Sequence, residues 1–568
     1  MRTIKKPNQP ELFAAADGVL HVRFIAKIAR DWPGIMRRTL LALMPAEELG
    51  KDLCESHGRP SKELYSMTGL IFLAEAFGWT HEEAVNRYAC DMRVQYALNL
   101  GHFNQYLCER TYEARLQDFR ESALAQGVFD AVTRRLVQEL NLEIKKQRLD
   151  STHVFSDMAH FGRTKLMSET VRRFLHALQK TFGDHYMSVD AAMRERYAQS
   201  DAQLFGMGRT RKTGEELTAL RQQIAEDMHG LLSHFEWDPA VVAMSGYQAL
   251  RRVFNEQCVV ENEAISVVSK ADTRCMQNPS DPDATYDGHK GTGYQAQIVE
   301  TFGGSNSVNL ITAVIAQTAA DQDADSVVDV LEQLEQRSLK PELLVADGAY
   351  GSDENVLAAQ SHDVTLVAPV KGAKKKIRSD DESRPAMHAL DFEMDETTKE
   401  VRSCPMGETP LATGTDGKRH SAIFDKRRCN CCTRQQQCPV ACSKTRDRLD
   451  YSDKDLRLEA RRRDEQSPNF KDIYRCRAGI EGTMSALKRG LGLGRLPVRG
   501  RSAVSTAIYL KAAAYNMKQA VKALKMRSKS VENALASAFF VFAEAWEASR
   551  LWTSQCLYKP TTTIVQVA

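Results

Sequence analysis

Three carboxylates in this chain have neighbours suited to phosphodiester chemistry. Asp150 follows the apolar Leu149 and precedes the hydroxyls of Ser151 and Thr152, while Asp347 closes the run ELLVA and opens the turn DGAYGS. Both read as aspartates at the carboxyl ends of sheet strands, where α/β active sites form, although a strand-end Asp is also an ordinary turn residue. The third, Glu481, lies in YRCRAGIEGTMSALK. On a helix advancing roughly 100° per residue, Tyr474, Arg477, Glu481 and Lys488 fall at roughly 0°, 300°, 340° and 320°, one face about 60° wide. Ile473, Ile480, Met484 and Leu487 form an adjacent apolar stripe that would pack the helix down. The competing reading is an exposed face with an Arg477–Glu481 ion pair. Gly479 and Gly482 count against it, because each costs a helix about 1 kcal/mol relative to Ala; close approach by a strand or substrate is the expected reason for both. Hard oxygen ligands with open positions suit magnesium or manganese, and a pair of such ions can activate an attacking water while stabilising a leaving oxygen.

The elements that must position these groups follow from periodicity. The first 130 residues read as helical, with Ser61–Gly78 and His81–Leu100 carrying apolar positions at three and four, broken at Gly78-Trp79-Thr80, where Thr80 is the expected N-cap. This pair has the form of a helix-turn-helix, a shape that serves packing as readily as DNA reading. A strand is expected in Asn141–Val154, ending near Asp150, followed by a long helical stretch over Met167–Cys258 containing Glu215–Phe235. Strands Tyr294–Glu300, Val308–Ala316, Glu342–Ala346 and Val364–Val370, alternating with helices Ala324–Gln336 and Asp353–Gln360, imply an α/β sheet. From Gly372 to about Pro468 the pattern is lost: Lys374–Ser383 reads as a charged loop, and Arg446–Glu465 as an exposed helical connection. Helices Lys471–Arg489 and Val504–Lys525 follow, and no internal repeat is evident.

The order Asp-Ser-Thr on a first strand, Asp-Gly-x-Tyr-Gly on a later one and Tyr-x2-Arg-x3-Glu-x6-Lys on a helix resembles the DDE transposases of bacterial insertion sequences. The helical N-terminal part, the block DPDATYDGHKGTGYQAQ and the segment KAAAYNMKQ extend the similarity over most of the chain. The resemblance implies an RNase H-like α/β core with Asp150, Asp347 and Glu481 as catalytic ligands of two Mg²⁺ or Mn²⁺ ions. It places Arg477, Lys488, Arg489 and Arg495 on phosphate or flanking DNA, and gives Tyr474 a role in positioning the strand. The implied partners are terminal inverted repeats and target DNA, bound by at least a homodimer in the nucleoid of the cytoplasm. The expected organisation is an all-α N-terminal domain over 1–135 with a DNA-binding option and a core divided between 136–165 and 265–371. A helical insertion over 166–264 splits that core, and a Cys-rich insertion spans 372–468. The Glu481 helix and basic helices over 469–530 and a tail over 531–568 complete the chain. Two rival functions share these features: a metal-dependent nuclease lacking strand transfer, and a non-catalytic DNA-binding protein.

Six of the thirteen cysteines lie within forty residues. Cys429-x2-Cys432-x5-Cys438 with Cys404 upstream supplies the donors of a structural tetrathiolate zinc site, with Cys431, Cys442 and His420 as rival ligands; the alternative is reduced thiols in a small irregular subdomain. With 77 Lys+Arg against 74 Asp+Glu the net charge is +3, yet Gly482–Val531 holds eleven Lys or Arg and no acid, leaving −8 on the rest. Such asymmetry is an electrostatic footprint for a polyanion, or else a solvated basic face. The apolar runs Leu70–Trp79 and Leu535–Phe542 are too short to span a bilayer, and MRTIKKPNQPELF lacks the apolar stretch of a secretory signal, so neither membrane insertion nor export is expected.

Overall fold

The computed structural model describes residues 1–7, 9, 19–101, 105–206, 212–372, 387–443 and 446–527. The charged loop expected over Lys374–Ser383, Lys529, and the tail over 531–568 with its apolar run lie outside the described residues. At the centre is a mixed sheet of β1 (Lys146–Val154), β2 (Gly291–Thr301), β3 (Ile311–Thr318), β4 (Leu343–Val345) and β5 (Thr365–Val367), in the order β3-β2-β1-β4-β5. β2 runs antiparallel to β1 and β3, while β4 is parallel to β1 and β5 to β4. Helices Ser326–Gln336 and Asp353–Ser361 form the crossovers that parallel pairing demands. Order and polarity are compatible with an RNase H-like DDE domain.

β1 does not end near Asp150. Thr152, His153 and Val154 are all buried, and β2 pairs with the strand as far as Val154. The parallel pairing to β4 stops at Arg148, opposite Val345. Extending that register by two residues sets Asp150 beside Asp347, where β4 leaves the sheet.

The helix Leu64–Phe77 is apolar all round with eleven residues buried, so the first member of the helix-turn-helix pair is a core element. Gly78 ends it at φ 68°, and Thr80 caps the next helix through a capping box with Glu83. That helix, His81–Cys90, stops at Asp91, which caps a separate short helix, Met92–Ala97. The N-terminal helices, the central sheet and a helix covering 501–527 share one continuous apolar core.

The helix over 501–527 alters the reading of the basic run. Buried Lys511 pairs with Glu75, Lys525 pairs with Asp31, the Lys518 ammonium lies over the Phe77 ring, and Arg527 donates to the Leu140 carbonyl. These charges dock the N-terminal helices. Among the described residues, the cations of the run without a hydrogen bond, ion pair or ring contact are Lys488, Arg489, Arg495, Arg499, Arg501 and Lys522, the first four grouped before the helix.

Residues 163–267 pack Arg163–Thr181, Gly214–Phe235 and Ser245–Gln257 around their own core, including Phe174, Ile224, Met228 and Leu250. The Cys-rich segment is more regular than its sequence suggests: β6 (Ala412–Asp416), β7 (Arg419–Phe424), β8 (Ala441–Cys442) and β9 (Asp447–Ser452) form an antiparallel sheet ordered β6-β7-β9-β8. The expected helix over Arg446–Glu465 is therefore a strand followed by the helix Asp453–Asp464.

Asn516, fully buried in the 501–527 helix, clamps three elements. Its amide accepts from the Ile311 N–H and donates to the Ile311 carbonyl and to Thr133 Oγ1. Asn516→Ala leaves both backbone groups of the β3 edge unpaired in the core and is expected to cost about 1–3 kcal/mol in urea unfolding.

Candidate active site

Arg148 and Asp150, two apart on β1, point to the face covered by the Glu481 helix. Asp150 Oδ2 accepts from Arg477 Nη1 at 3.0 Å, joining residues 327 apart in sequence, and Oδ1 accepts from the Ser151 N–H at 2.9 Å. Burial raises the Asp150 carboxyl above its ordinary value; Ser151 and Arg477 oppose the shift, while Asp347 and Asp323 add to it. Two further carboxylates thus act on Asp150. Asp347 is fixed by an Asx turn, its Oδ1 accepting from the Ala349 N–H at 2.8 Å.

Beneath them lies a polar layer. Tyr350 of the DGAYGS turn is fully buried, and its hydroxyl donates to Gln297 Oε1 at 2.5 Å; burial and the charges of Asp323, Asp150 and Asp347 push this phenol well above its usual value. Gln297 donates to Asp323 Oδ1 at 2.9 Å, and Ser151 Oγ to Asp323 Oδ2 at 3.0 Å. Lys290, in the turn before β2, reaches Ser151 Oγ at 3.3 Å and Asp323 at 3.8 Å. Asp323 and Lys290 are site residues that sequence reasoning missed. Asp323 sits in a 3₁₀ turn among several acids and has no strand-end signature; Lys290 could have been found in the GHKGTG turn.

The segment expected as one α-helix over Lys471–Arg489 changes pitch. It is α-helical over Pro468–Tyr474, 3₁₀ over Arg475–Gly479, α-helical over Ile480–Ser485 and π-helical over Ala486–Gly490. The uniform 100° step therefore fails, and the four signature residues do not share one ideal stripe. Tyr474 stacks on Phe470, with ring centroids 5.6 Å apart. Arg477 meets Asp150. Glu481 is exposed and, among the described residues, makes no hydrogen bond or ion pair. Lys488, in the π turn, has its ammonium lowered by partial burial and by Lys290, with Asp150 opposing. Arg489 and Arg495 are exposed, and the backbone flanking Arg495 pairs with Phe155 beyond the end of β1. Among the described residues no three His, Cys, Asp or Glu side chains stand together as a metal-ligand set. Asp347 and Asp323, the carboxylates that act on Asp150, nevertheless offer hard oxygen donors suited to magnesium or manganese, and a cation would relieve their repulsion.

The Glu481 helix is seated by a buried network. Arg148 pairs with the fully buried Glu300, with Nη2 at 2.6 Å and Nε at 2.7 Å from Oε1, and donates from Nη1 to the Cys476 carbonyl at 2.7 Å. Glu300 also accepts from Thr483 Oγ1, which is 3.0 Å from the Tyr515 hydroxyl. Burial raises the Glu300 carboxyl, with Arg148 and Thr483 opposing.

Residues 270–517 match the family model of the transposase DDE domain. The matched segment holds Asp347, Tyr474, Arg477, Glu481 and Lys488 but begins after Asp150, and it spans less than half of the chain. No curated protein and no solved structure matches the chain.

The two glycines of the signature helix separate on geometry. A Cβ on Gly479 would lie 2.0 Å from Arg148 Nη1, whereas one on Gly482 meets nothing within 4 Å. Close approach thus accounts for Gly479 alone; nothing in the structure explains Gly482. Gly479→Ala is expected to displace the guanidinium and destabilise by about 1–3 kcal/mol, while Gly482→Ala is expected to be neutral or to stabilise by up to about 1 kcal/mol. Paired thermal melts check both.

Proposed function

We propose that this chain is the transposase of an insertion sequence, cutting DNA at the element's ends and joining the freed 3′-hydroxyls to target phosphodiesters. The observation that carries the reading is the meeting of Asp150 with Arg477 and, by register, with Asp347, at the end of a sheet whose later part matches a transposase DDE domain. Asp150, Asp347 and Glu481 are the residues that would hold two magnesium or manganese ions, which supply activation of the attacking oxygen and stabilisation of the leaving one.

The chain's own groups divide the remaining work. In the DNA-free state Arg477 neutralises Asp150, so the guanidinium stands where a phosphate oxygen would need a cation. Lys488 and Lys290 flank the same carboxylate and contribute positive charge against the scissile phosphate. Arg489, Arg495 and Arg499 continue as an exposed track for the sugar-phosphate backbone, the sequence-independent contact that makes binding salt-dependent. The free, exposed Glu481 carboxylate is the one group of the three that can approach its ligand position after DNA and ions arrive. Pairing of two element ends calls for at least two copies in the DNA complex.

Asp150→Asn, Asp347→Asn and Glu481→Gln are each expected to abolish divalent-metal-dependent cleavage of terminal-repeat DNA while leaving gel-shift affinity within a few-fold of wild type. Wild-type cleavage in all three variants would refute the assignment. Cleavage by the wild type without any strand-transfer product would make the chain a nuclease.

Opposite-sign behaviour is expected of the exposed cations. Arg495→Ala and Arg489→Ala should weaken DNA binding about equally on any sequence and reduce the salt dependence of binding by about one ion each, read from affinity against salt concentration.

A further inference from the structure

The Cys-rich segment has a core too small for its length. Among the described residues its apolar cluster holds six buried side chains, Phe392, Val401, Ala422, Phe424, Leu449 and Tyr451, with Cys404, Cys429 and Cys438 packed against their edge. A sheet carried by so few apolar groups needs a staple. No disulfide supplies one among the described residues, where every cysteine is free.

The six clustered cysteines line one cavity of about 450 Å³, but they are not equivalent. Cys404, Cys429, Cys432 and Cys438 are half-buried; Cys431 and Cys442 are exposed. The rival His420 is already engaged, with Nε2 2.9 Å from Asp453 and Nδ1 3.3 Å from Thr415 Oγ1. Cys404 sits in a tight turn in which the Met406 N–H donates to its sulfur at 3.4 Å and the Gly407 N–H to its carbonyl at 2.8 Å, with Gly407 at φ 84°. The Cys432 N–H likewise closes a turn onto the Cys429 carbonyl at 3.1 Å, and both residues line the cavity.

A second, independent observation comes from β9. Asp447 is fully buried, and among the described residues neither of its carboxylate oxygens has a hydrogen-bond partner. Burial raises the Cys429 thiol, and Asp447, Cys438, Cys404 and Cys432 lie close enough to add to that rise. A carboxylate without a partner in an apolar interior is strongly unfavourable unless a cation is at hand.

We propose that Cys404, Cys429, Cys432 and Cys438 close on one structural zinc ion, which Asp447 faces from the adjacent strand. Four thiolates prescribe a soft, tetrahedral ion, and the closed ligand set leaves no position for substrate. Among the described residues the four sulfurs do not stand as a formed ligand set, so zinc binding includes their turning into the cavity about their side-chain torsions. Arg427 and Arg428, also on the cavity wall, offset the negative charge of the cluster. This inference does not rest on the nuclease chemistry.

The test is elemental analysis of the full chain produced with zinc and purified without chelator. One zinc per chain is expected, retained in Asp150→Asn and Glu481→Gln, retained in Cys431→Ser and Cys442→Ser, and lost in Cys432→Ser and Cys438→Ser. Should the cysteine variants fail to fold, cobalt-substituted wild type still reports the ligands through sulfur-to-cobalt charge-transfer bands. Iron in place of zinc, no bound metal, zinc retained after loss of Cys432, or a cobalt spectrum without thiolate bands would each overturn the proposal.

Discussion

The buried pair of Arg148 and Glu300 ties the central sheet to the helix that carries Glu481. Removing either partner would strand a charge in the interior, a loss of the order of 3–5 kcal/mol, whereas the intact pair gains little net stability over apolar packing. Its value is positional. One guanidinium reads β2 through Glu300 and the helix backbone through the Cys476 carbonyl, and the same Glu300 reads the helix again through Thr483. The strand that bears Asp150 and the helix that bears Arg477 and Glu481 are thereby held to a common frame two residues from the carboxylate.

Everything else near the site respects that frame. Gly479 has no side chain because the guanidinium occupies the space. The 3₁₀ turn over Arg475–Gly479 directs the Cys476 carbonyl toward Arg148, and the helix regains its α pitch where Ile480 and Met484 enter the core. On the opposite face Tyr350, Gln297 and Asp323 form a second polar layer, so β1 is gripped from both sides at the point where its carboxylate emerges.

Much of this was legible from residue order. The strands around Asp150 and Asp347 obey hydrophobic patterning, and Thr80 was readable as a cap because its capping-box partner lies three residues on. Gly479 announced a close approach but not its visitor, since a partner supplied from over three hundred residues away leaves no local trace. The sheet of the Cys-rich segment escaped notice for a different reason: β6 is exposed throughout, and β9 places Asp447 at an inward position where an apolar residue would be expected. Charge counting found the basic run but could not divide it, because Lys511 and Lys525 find their acids in Glu75 and Asp31, at the other end of the chain.

The helix over 501–527 is made after nearly everything it holds. The N-terminal helices emerge first during synthesis, yet the surface they share with Lys511, Asn516 and Met517 stays open until some five hundred residues have been joined. Contacts of such sequence separation form late and leave apolar surface waiting. Assembly of the carboxylate cluster is therefore linked to completion of this helix, and a ribosome-bound fragment that stops short of it has no closed core.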